Sequence, residues 1–163
     1  MPAVRVGIGF DIHRLEPGRP LVLAGVEVPA DRGPVAHSDG DVVLHAVADA
    51  VLGAAALGDL GEHFPDTDPV WKGAASAGLL SRAVDMARAA GYRPAGADVN
   101  VLLERPKLAP HKPAMRARLA ELLGLEAAQV NIKARTMEGL DAIGAGDAVA
   151  AQAVVVLEGA STA

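Results

Sequence analysis

Cysteine is absent from this 163-residue chain, and aromatic residues make up only 2% of it. Without cysteine there is neither a disulfide framework nor a thiolate metal site, so a bound metal must take carboxylate and imidazole ligands. The scarcity of aromatic side chains disfavours stacking platforms for nucleic-acid bases. The core must therefore be built from the aliphatic members of the 51% of residues that are hydrophobic.

Basic runs and long apolar segments are missing as well. The formal net charge of -5 is the opposite of the basic footprint that binding to a phosphate backbone requires. The N-terminus has no apolar stretch of signal-peptide length, and the most apolar later segment, 42–60, is interrupted by His45, Asp49 and Asp59. We therefore expect a cytoplasmic protein that binds neither nucleic acid nor membrane.

The distribution of apolar residues predicts one domain. No linker, low-complexity tract or repeat divides the chain, so residues 1–163 are expected to form a single catalytic domain. Ser38 and Asp41 resemble a capping arrangement in front of the first helix. The pattern favours an α+β fold, in which helices pack on one face of a mixed sheet. Predicted strands cover residues 4–11, 21–23, 26–28, 98–103, 130–134 and 148–157, and predicted helices cover 42–57, 77–90 and 113–123.

Three residues have the chemistry of a metal site. In an extended strand Asp11 and His13 point to the same side, and His45 lies one helical turn from both Asp41 and Asp49 on a polar stripe. One carboxylate and two imidazoles, with a fourth position open, are the expected plan for catalytic zinc. Taken singly, the Asp-x-His pair is more typical of a turn or a surface feature than of a metal site. His45 alone is more typical of a core histidine whose hydrogen bonds are satisfied by Asp41 or Asp49.

Three longer phrases identify a family. They are Gly9-Phe10-Asp11-Ile12-His13, then His37-Ser38-Asp39-Gly40-Asp41 with His45 beyond it, and Gly58-Asp59-Leu60-Gly61 followed by Phe64-Pro65-Asp66-Thr67-Asp68. In this order and spacing they resemble the 2-C-methyl-D-erythritol 2,4-cyclodiphosphate synthases, and the match runs from about residue 5 to residue 158. The resemblance implies conversion of 4-diphosphocytidyl-2-C-methyl-D-erythritol 2-phosphate into the cyclic diphosphate, with release of CMP.

The resemblance also implies roles for individual residues. Asp11, His13 and His45 would bind Zn²⁺, and Glu138 would bind a second divalent ion, Mg²⁺ or Mn²⁺, on the substrate diphosphate. His37 and Thr136 would stabilise the transition state. Lys133 or Arg135 would help to offset the phosphate charge. The expected substrate contacts are Asp11, His13, His37, Ser38, Asp59, Leu60, Gly61, Phe64, Pro65, Asp66, Thr67, Asp68, Arg105, Pro106, Lys107, Leu108, Ala109, Lys133, Arg135, Thr136, Met137 and Glu138, the cytidine falling to 105–109.

The chain departs from the family pattern at two places. Arg135 and Met137 stand where threonines are expected on either side of Thr136, which changes the predicted phosphate contacts there. Ala142 and Ala145 replace a Phe and an Arg that some bacterial members place in a central cavity proposed to hold isoprenoid diphosphates. The absence of these two side chains disfavours such a ligand in that cavity.

The family forms homotrimers with active sites between adjacent subunits, and the resemblance implies the same assembly for this chain. The competing hypotheses are a metal-dependent phosphohydrolase that uses water as the nucleophile, and a non-catalytic protein that binds isoprenoid diphosphates. A plain α/β domain with satisfied core histidines is the third. Release of phosphate without CMP would favour the phosphohydrolase. The retained zinc ligands, Thr136 and Glu138 oppose the non-catalytic binding protein.

Overall fold

The structure is a computed structural model that describes residues 3–65, 67–71, 73 and 75–160. Its strands are β1 (Val4–Pro17), β2 (Leu21–Leu23), β3 (Val26–Val28), β4 (Arg32–Pro34), β5 (Tyr92–Leu102), β6 (Val130–Arg135) and β7 (Ala148–Gly159). Its helices are α1 (Val42–Ala55), α2 (Leu60–His63), α3 (Ser76–Ala89), α4 (Lys112–Leu123) and α5 (Asp141–Gly144), with 3₁₀ turns at Pro69–Trp71 and Ala127–Gln129.

The sheet is mixed, as predicted. Five strands lie in the order β4-β1-β7-β5-β6, in which only β5 and β6 run parallel, and β2 and β3 form a separate hairpin. Helix α1 packs on β1 and β7, α3 packs on α1 and β5, and α4 packs on β6. The α+β fold class is therefore confirmed. No helix among the described residues combines the length and the hydropathy needed to cross a membrane.

Strand β1 continues beyond the predicted end near Asp11. It pairs with β7 in an unbroken register from Val4 opposite Glu158 to Arg14 opposite Ala148. The prediction was wrong because Leu15 and the following residues also pair with β4, which the sequence pattern did not reveal. As a result, Asp11 and His13 both lie inside a regular ladder rather than in a loop.

Glycine lets α1 approach β1 at backbone distance. A Cβ atom built on Gly9 would lie 1.9 Å from the carbonyl oxygen of Ala46, and one on Gly7 would lie 1.9 Å from that of Ala50. Both glycines face the helix, so the alternating apolar side chains of β1 face away from it. Those outward side chains are 48–66% exposed: Val4, Val6, Ile8, Phe10 and Ile12.

Asp41, rather than Ser38, caps the first helix. Its carboxylate accepts hydrogen bonds from the N–H groups of Val43 and Leu44, and also from Ala24 and Gly25 in the β2–β3 turn. Because these four donors occupy a fully buried carboxylate, Asp41 joins the hairpin to α1. It is not part of the polar stripe that the sequence predicted around His45.

Candidate active site

A carboxylate and two imidazoles meet between β1 and α1. Asp11 Oδ2 lies 2.9 Å from His45 Nδ1 and 3.2 Å from His13 Nε2. The two imidazole rings stand edge to face, with centroids 5.6 Å apart. One ligand atom from each residue falls within 4.8 Å of the other two. The structure therefore brings together the three residues that the sequence proposed as metal ligands.

The donor set fits a divalent metal ion. Ligand atoms 2.0–2.2 Å from a tetrahedral zinc ion lie about 3.3 Å from one another, which is close to the spacing around Asp11. His13 Nε2 is buried and, among the described residues, has no hydrogen bond of acceptable geometry, although it lies near Asp11. A buried imidazole nitrogen without a partner is costly unless something else binds it. A cation between the three side chains would satisfy it.

The electrostatics of Asp11 favour the ionised form. Burial by itself raises the pKa of the Asp11 carboxyl, but its interactions with the nearby His13 and His45 rings outweigh burial and bring the pKa to about 2. The carboxylate is therefore negative throughout the working pH range and ready to bind a cation.

A cavity of about 320 Å³ opens beside the triad. It combines three segments that the sequence had proposed as one site: the metal ligands, the loop at 37–38 and the turn at 60–64. His37 itself is exposed at this site, while Ser38 is half-buried. The lining residues are His13, Val35, Ala36, His37, Ser38, His45, Leu60, Gly61, Phe64, Trp71 and Leu79.

Hydrogen bonds hold the turn at this cavity in place. Asp49 Oδ1 accepts a hydrogen bond from Leu60 N at 3.0 Å, and Asp59 Oδ1 caps α2 by accepting one from Glu62 N at 2.9 Å. Asp49 thus supports the turn and does not contact His45 in the way the sequence allowed. The loop that follows is anchored by aromatic packing, since the Phe64 and Trp71 rings meet edge to face at 5.0 Å.

The rest of that loop is only partly described. Asp68 N donates to Pro65 O, and Asp68 Oδ1 accepts from Val70 N. Thr67 is exposed beside it. Asp66, which the sequence also proposed as a substrate contact, lies outside the described residues.

A second cavity, of about 250 Å³, joins the proposed cytidine loop to the proposed phosphate segment. Arg135 and Thr136 contribute to it from the end of β6, and Lys112 adds a cation that the sequence had not singled out. Arg105 faces a different cleft, beside Asp31 and Arg32. The lining residues of the second cavity are Leu103, Glu104, Pro106, Lys107, Leu108, Ala109, Lys112, Ala134, Arg135 and Thr136.

The remaining residues of the phosphate segment have partners of their own. Lys133 Nζ lies 2.6 Å from Asp98 Oδ2, and this ion pair is the main cause of the lowered pKa of Asp98. Met137 N donates to Glu104 Oε2 at 3.1 Å, while Glu138 is exposed and has a positive φ of 53°. Neither Lys133 nor Glu138 lines either cavity.

The two cavities share no lining residue and lie apart in one chain. Asp11 pairs with Ala151, Ala151 pairs with Val101, and Val101 pairs with Ala134. Three strand spacings of about 4.8 Å separate the first and last of these residues by about 14 Å. The metal triad and the Thr136 segment therefore stand on opposite sides of the sheet's centre.

Sequence reasoning missed two residues behind the triad, Ser76 and Asp39. Ser76 Oγ lies 2.8 Å from His45 Nε2 and also donates a hydrogen bond to Asp39 Oδ1. The alternative in which Asp41 or Asp49 satisfies His45 is therefore wrong. Asp39 stood inside one of the three family phrases and could have been found there, whereas nothing in the local pattern marks the first residue of α3.

Comparison with known proteins identifies the family independently. The model of the YgbB family matches residues 4–158. A Salinibacter ruber protein named 2-C-methyl-D-erythritol 2,4-cyclodiphosphate synthase is 55% identical over 157 residues, which are 96% of this chain and 100% of that protein.

Solved structures agree with this relationship. The bifunctional IspDF of Campylobacter jejuni aligns with a TM-score of 0.93 and 42% identity, over 98% of this chain and 43% of that one. A 2C-methyl-D-erythritol-2,4-cyclodiphosphate synthase in its CDP-bound form aligns with a TM-score of 0.88 and 44% identity, over 94% of this chain and 99% of that one. The chain therefore belongs to the YgbB family, that of the 2-C-methyl-D-erythritol 2,4-cyclodiphosphate synthases.

Proposed function

We propose that this chain, acting as a single catalytic domain, converts 4-diphosphocytidyl-2-C-methyl-D-erythritol 2-phosphate into 2-C-methyl-D-erythritol 2,4-cyclodiphosphate and CMP. The observation that carries the proposal is the Asp11–His13–His45 triangle, which opens into a cavity lined by His37, Ser38 and the 60–64 turn. Relatives that are more than half identical to the chain carry the name of this activity. One related structure binds CDP, which supports a cytidine nucleotide as the leaving group.

The reaction is an intramolecular phosphoryl transfer. An oxygen of the substrate's 2-phosphate forms a bond to the β-phosphorus, and the bond from that phosphorus to the oxygen of the α-phosphate breaks. CMP leaves with the bridging oxygen, so no water is consumed. The protein must fold the substrate back on itself and stabilise the charge that spreads over the phosphoryl oxygens.

Two ions and two polar side chains supply that stabilisation in the proposal. Zn²⁺ on Asp11, His13 and His45, and Mg²⁺ or Mn²⁺ on Glu138, would orient and polarise the diphosphate when bound. His37 and Ser38 stand at the rim of the first cavity and would hold a phosphate there. The Thr136 hydroxyl, in the other cavity, would donate a hydrogen bond to the same phosphate, and Arg135 adds a positive charge beside it.

The second cavity is the proposed cytidine site. Its lining includes residues 106–109, the apolar Leu103 and Leu108, and the cationic Lys107 and Lys112. A lining that combines apolar residues with cations suits a pyrimidine base attached to a diphosphate. Arg105 would contact the cytidine from the start of the same loop. The other proposed contacts would bind the methylerythritol or border the phosphates: Asp59, Phe64, Pro65, Asp66, Thr67, Asp68, Lys133 and Met137.

A homotrimer with sites between subunits explains how the two cavities cooperate. About 14 Å separates the triad from the Thr136 segment within one chain, which is too far for one diphosphate to contact both. The outward face of β1 offers an apolar surface for such an assembly, because five of its large side chains are about half exposed or more. Contiguous apolar surface of this kind marks an interface. A neighbouring chain would bring its Thr136 to the triad of the first.

Turnover followed by phosphorus NMR tests the reaction. Zinc-loaded protein with Mg²⁺ and 4-diphosphocytidyl-2-C-methyl-D-erythritol 2-phosphate should release CMP and the cyclic diphosphate in equal amounts. Inorganic phosphate without CMP would instead indicate a phosphohydrolase. Unchanged substrate in protein that contains zinc would contradict the proposal.

Hybrid assemblies test the shared site. His45→Ala and Thr136→Ala chains should each be inactive alone, because each lacks one side of every site. After they are unfolded together and refolded as a 1:1 mixture, about a quarter of the sites would receive an intact triad and an intact Thr136 from different chains. No recovery of CMP release in the mixture would show that each site lies within one chain.

A further inference from the structure

Two serines, Ser76 and Ser38, lie near Nε2 of His45, the ring nitrogen that does not face Asp11. His45 Nδ1 lies 2.9 Å from Asp11 Oδ2, whereas Nε2 lies 2.8 Å from the hydroxyl oxygen of Ser76. Ser76 is fully buried, and its hydroxyl also bonds to Asp39 Oδ1. Ser38 Oγ is a second, longer neighbour of Nε2 at 3.3 Å.

The donor and acceptor inventory fixes the direction of this chain of hydrogen bonds. A carboxylate only accepts, and Asp39 also accepts from the backbone N–H groups of Ser76 and Asp41. The Ser76 hydroxyl has one proton, which it must donate to Asp39, so it can only accept from His45. Nε2 of His45 therefore carries a proton, and Nδ1, which faces Asp11, is the nitrogen that can give up its proton and bind a metal.

With its proton removed, Nδ1 of His45 aims its lone pair at the metal position beside Asp11 and His13. Histidine ligands generally donate their other ring N–H to a carboxylate or a similar acceptor, which fixes the tautomer and the ring orientation. Here a serine stands between the histidine and the carboxylate. We propose that Ser76 and Asp39 are positioning residues that hold His45 as an Nδ1 ligand of the metal; this rests on the metal-ligand part of the proposed function.

The role of the Ser76 hydroxyl can be tested separately from the role of the Ser76 backbone. The start of α3 is tied to Asp39 through Ser76 N, 3.0 Å from Asp39 Oδ2, and this bond does not need the side chain. Ser76→Ala therefore removes the link to His45 and keeps the backbone anchor. Ser81 provides a matched control on the same helix, because its exposed hydroxyl donates only to Ala77 O.

The test compares zinc affinity in Ser76→Ala, Ser81→Ala and the unchanged protein by competition with a chromogenic chelator. Ser76→Ala should bind zinc about 10- to 100-fold more weakly, as is typical when a group that orients a ligand is lost. Ser81→Ala should match the unchanged protein, both in zinc affinity and in the urea concentration at which the metal-free protein unfolds. Equal zinc affinity in the two variants would overturn the proposal.

If Ser76→Ala also unfolds more easily without metal, the histidine tautomer decides the question. Nitrogen-15 NMR of the zinc-loaded protein, which has five histidines, should show His45 with its proton on Nε2 and the metal on Nδ1. Zinc on Nε2 would overturn the proposal. A failure of the cyclisation reaction is distinguishable from both results, because it would appear as tight zinc binding without CMP release.

Discussion

Replacing Gly9 with alanine should disrupt the metal site without changing any of its ligands. The added Cβ would lie 1.9 Å from Ala46 O, while real Cβ atoms essentially never come within 3.0 Å of such an atom. The backbones of β1 and α1 must therefore separate by at least the difference, about 1.1 Å. His45 directly precedes Ala46 in the helix, and Asp11 lies two residues from Gly9, so the same displacement acts on the ligand triangle.

The expected magnitudes follow from that displacement. Overpacking of this kind costs about 1–3 kcal/mol of unfolding free energy. Metal sites tolerate changes in ligand distance of about 0.2 Å, so a shift of roughly 1 Å should weaken metal binding at least 10-fold. The assay measures zinc affinity by chelator competition, and measures the urea-induced unfolding of the metal-free protein separately.

Two other glycines provide controls. Gly53 is exposed on α1, and its Cβ would meet Ile8 O at an ordinary contact distance of 3.9 Å, so Gly53→Ala should stabilise the helix by roughly 0.5–1 kcal/mol. Gly7→Ala makes the same 1.9 Å clash as Gly9→Ala, but against Ala50. It should destabilise the fold similarly and affect zinc less. A Gly9→Ala protein with unchanged stability and zinc affinity would refute the packing account, and one that loses stability alone would refute its link to the metal.

Three further outcomes follow from the site. His45→Ala should lower zinc content while leaving a helix that tolerates alanine, and unchanged zinc would remove His45 from the ligand set. Glu138→Ala should keep zinc but weaken magnesium-dependent turnover; an unaltered magnesium dependence would contradict its role. Because the pKa of Asp11 is about 2 in the folded chain and 3.8 for an aspartate in an unfolded chain, the metal-free fold gains stability from this carboxylate above pH 4 and loses it as the pH falls through 2. Urea unfolding of the metal-free protein and of its Asp11→Asn variant measures this contribution. The difference between their free energies of unfolding should shrink by up to about 2 kcal/mol between pH 4 and pH 2, and a constant difference would contradict the prediction.

The metal ligands could be predicted from the sequence because local geometry decides them. Residues two apart in a strand share a side, which places Asp11 beside His13, and the family phrases supplied the spacing to His45. The supporting residues had no such signal. Ser76 lies 31 positions after His45 and 37 after Asp39, and only the packing of α3 against α1 brings them together. A single apolar pattern cannot specify a contact of that range.

The first strand was also recognisable, but its orientation was not. Alternation of Val4, Val6 and Ile8 with glycine indicates a strand, and the usual rule would turn the valines toward the core. The structure turns Gly7 and Gly9 inward instead, since α1 packs so closely that a Cβ would meet its backbone. A pattern of side-chain hydrophobicity cannot predict this close contact between two backbones, because the contact depends on glycines that have no side chain.

This orientation connects the metal site to the proposed assembly. His45 reaches Asp11 only because glycines on the inner face of β1 let α1 approach the strand. Since side chains alternate along a strand, the residues that alternate with those glycines must face outward, and they include Val6 and Ile8, both more than 60% exposed. An apolar outer face needs a covering partner. The arrangement that builds the triad inside one chain therefore also creates the surface through which a second chain could complete the active site.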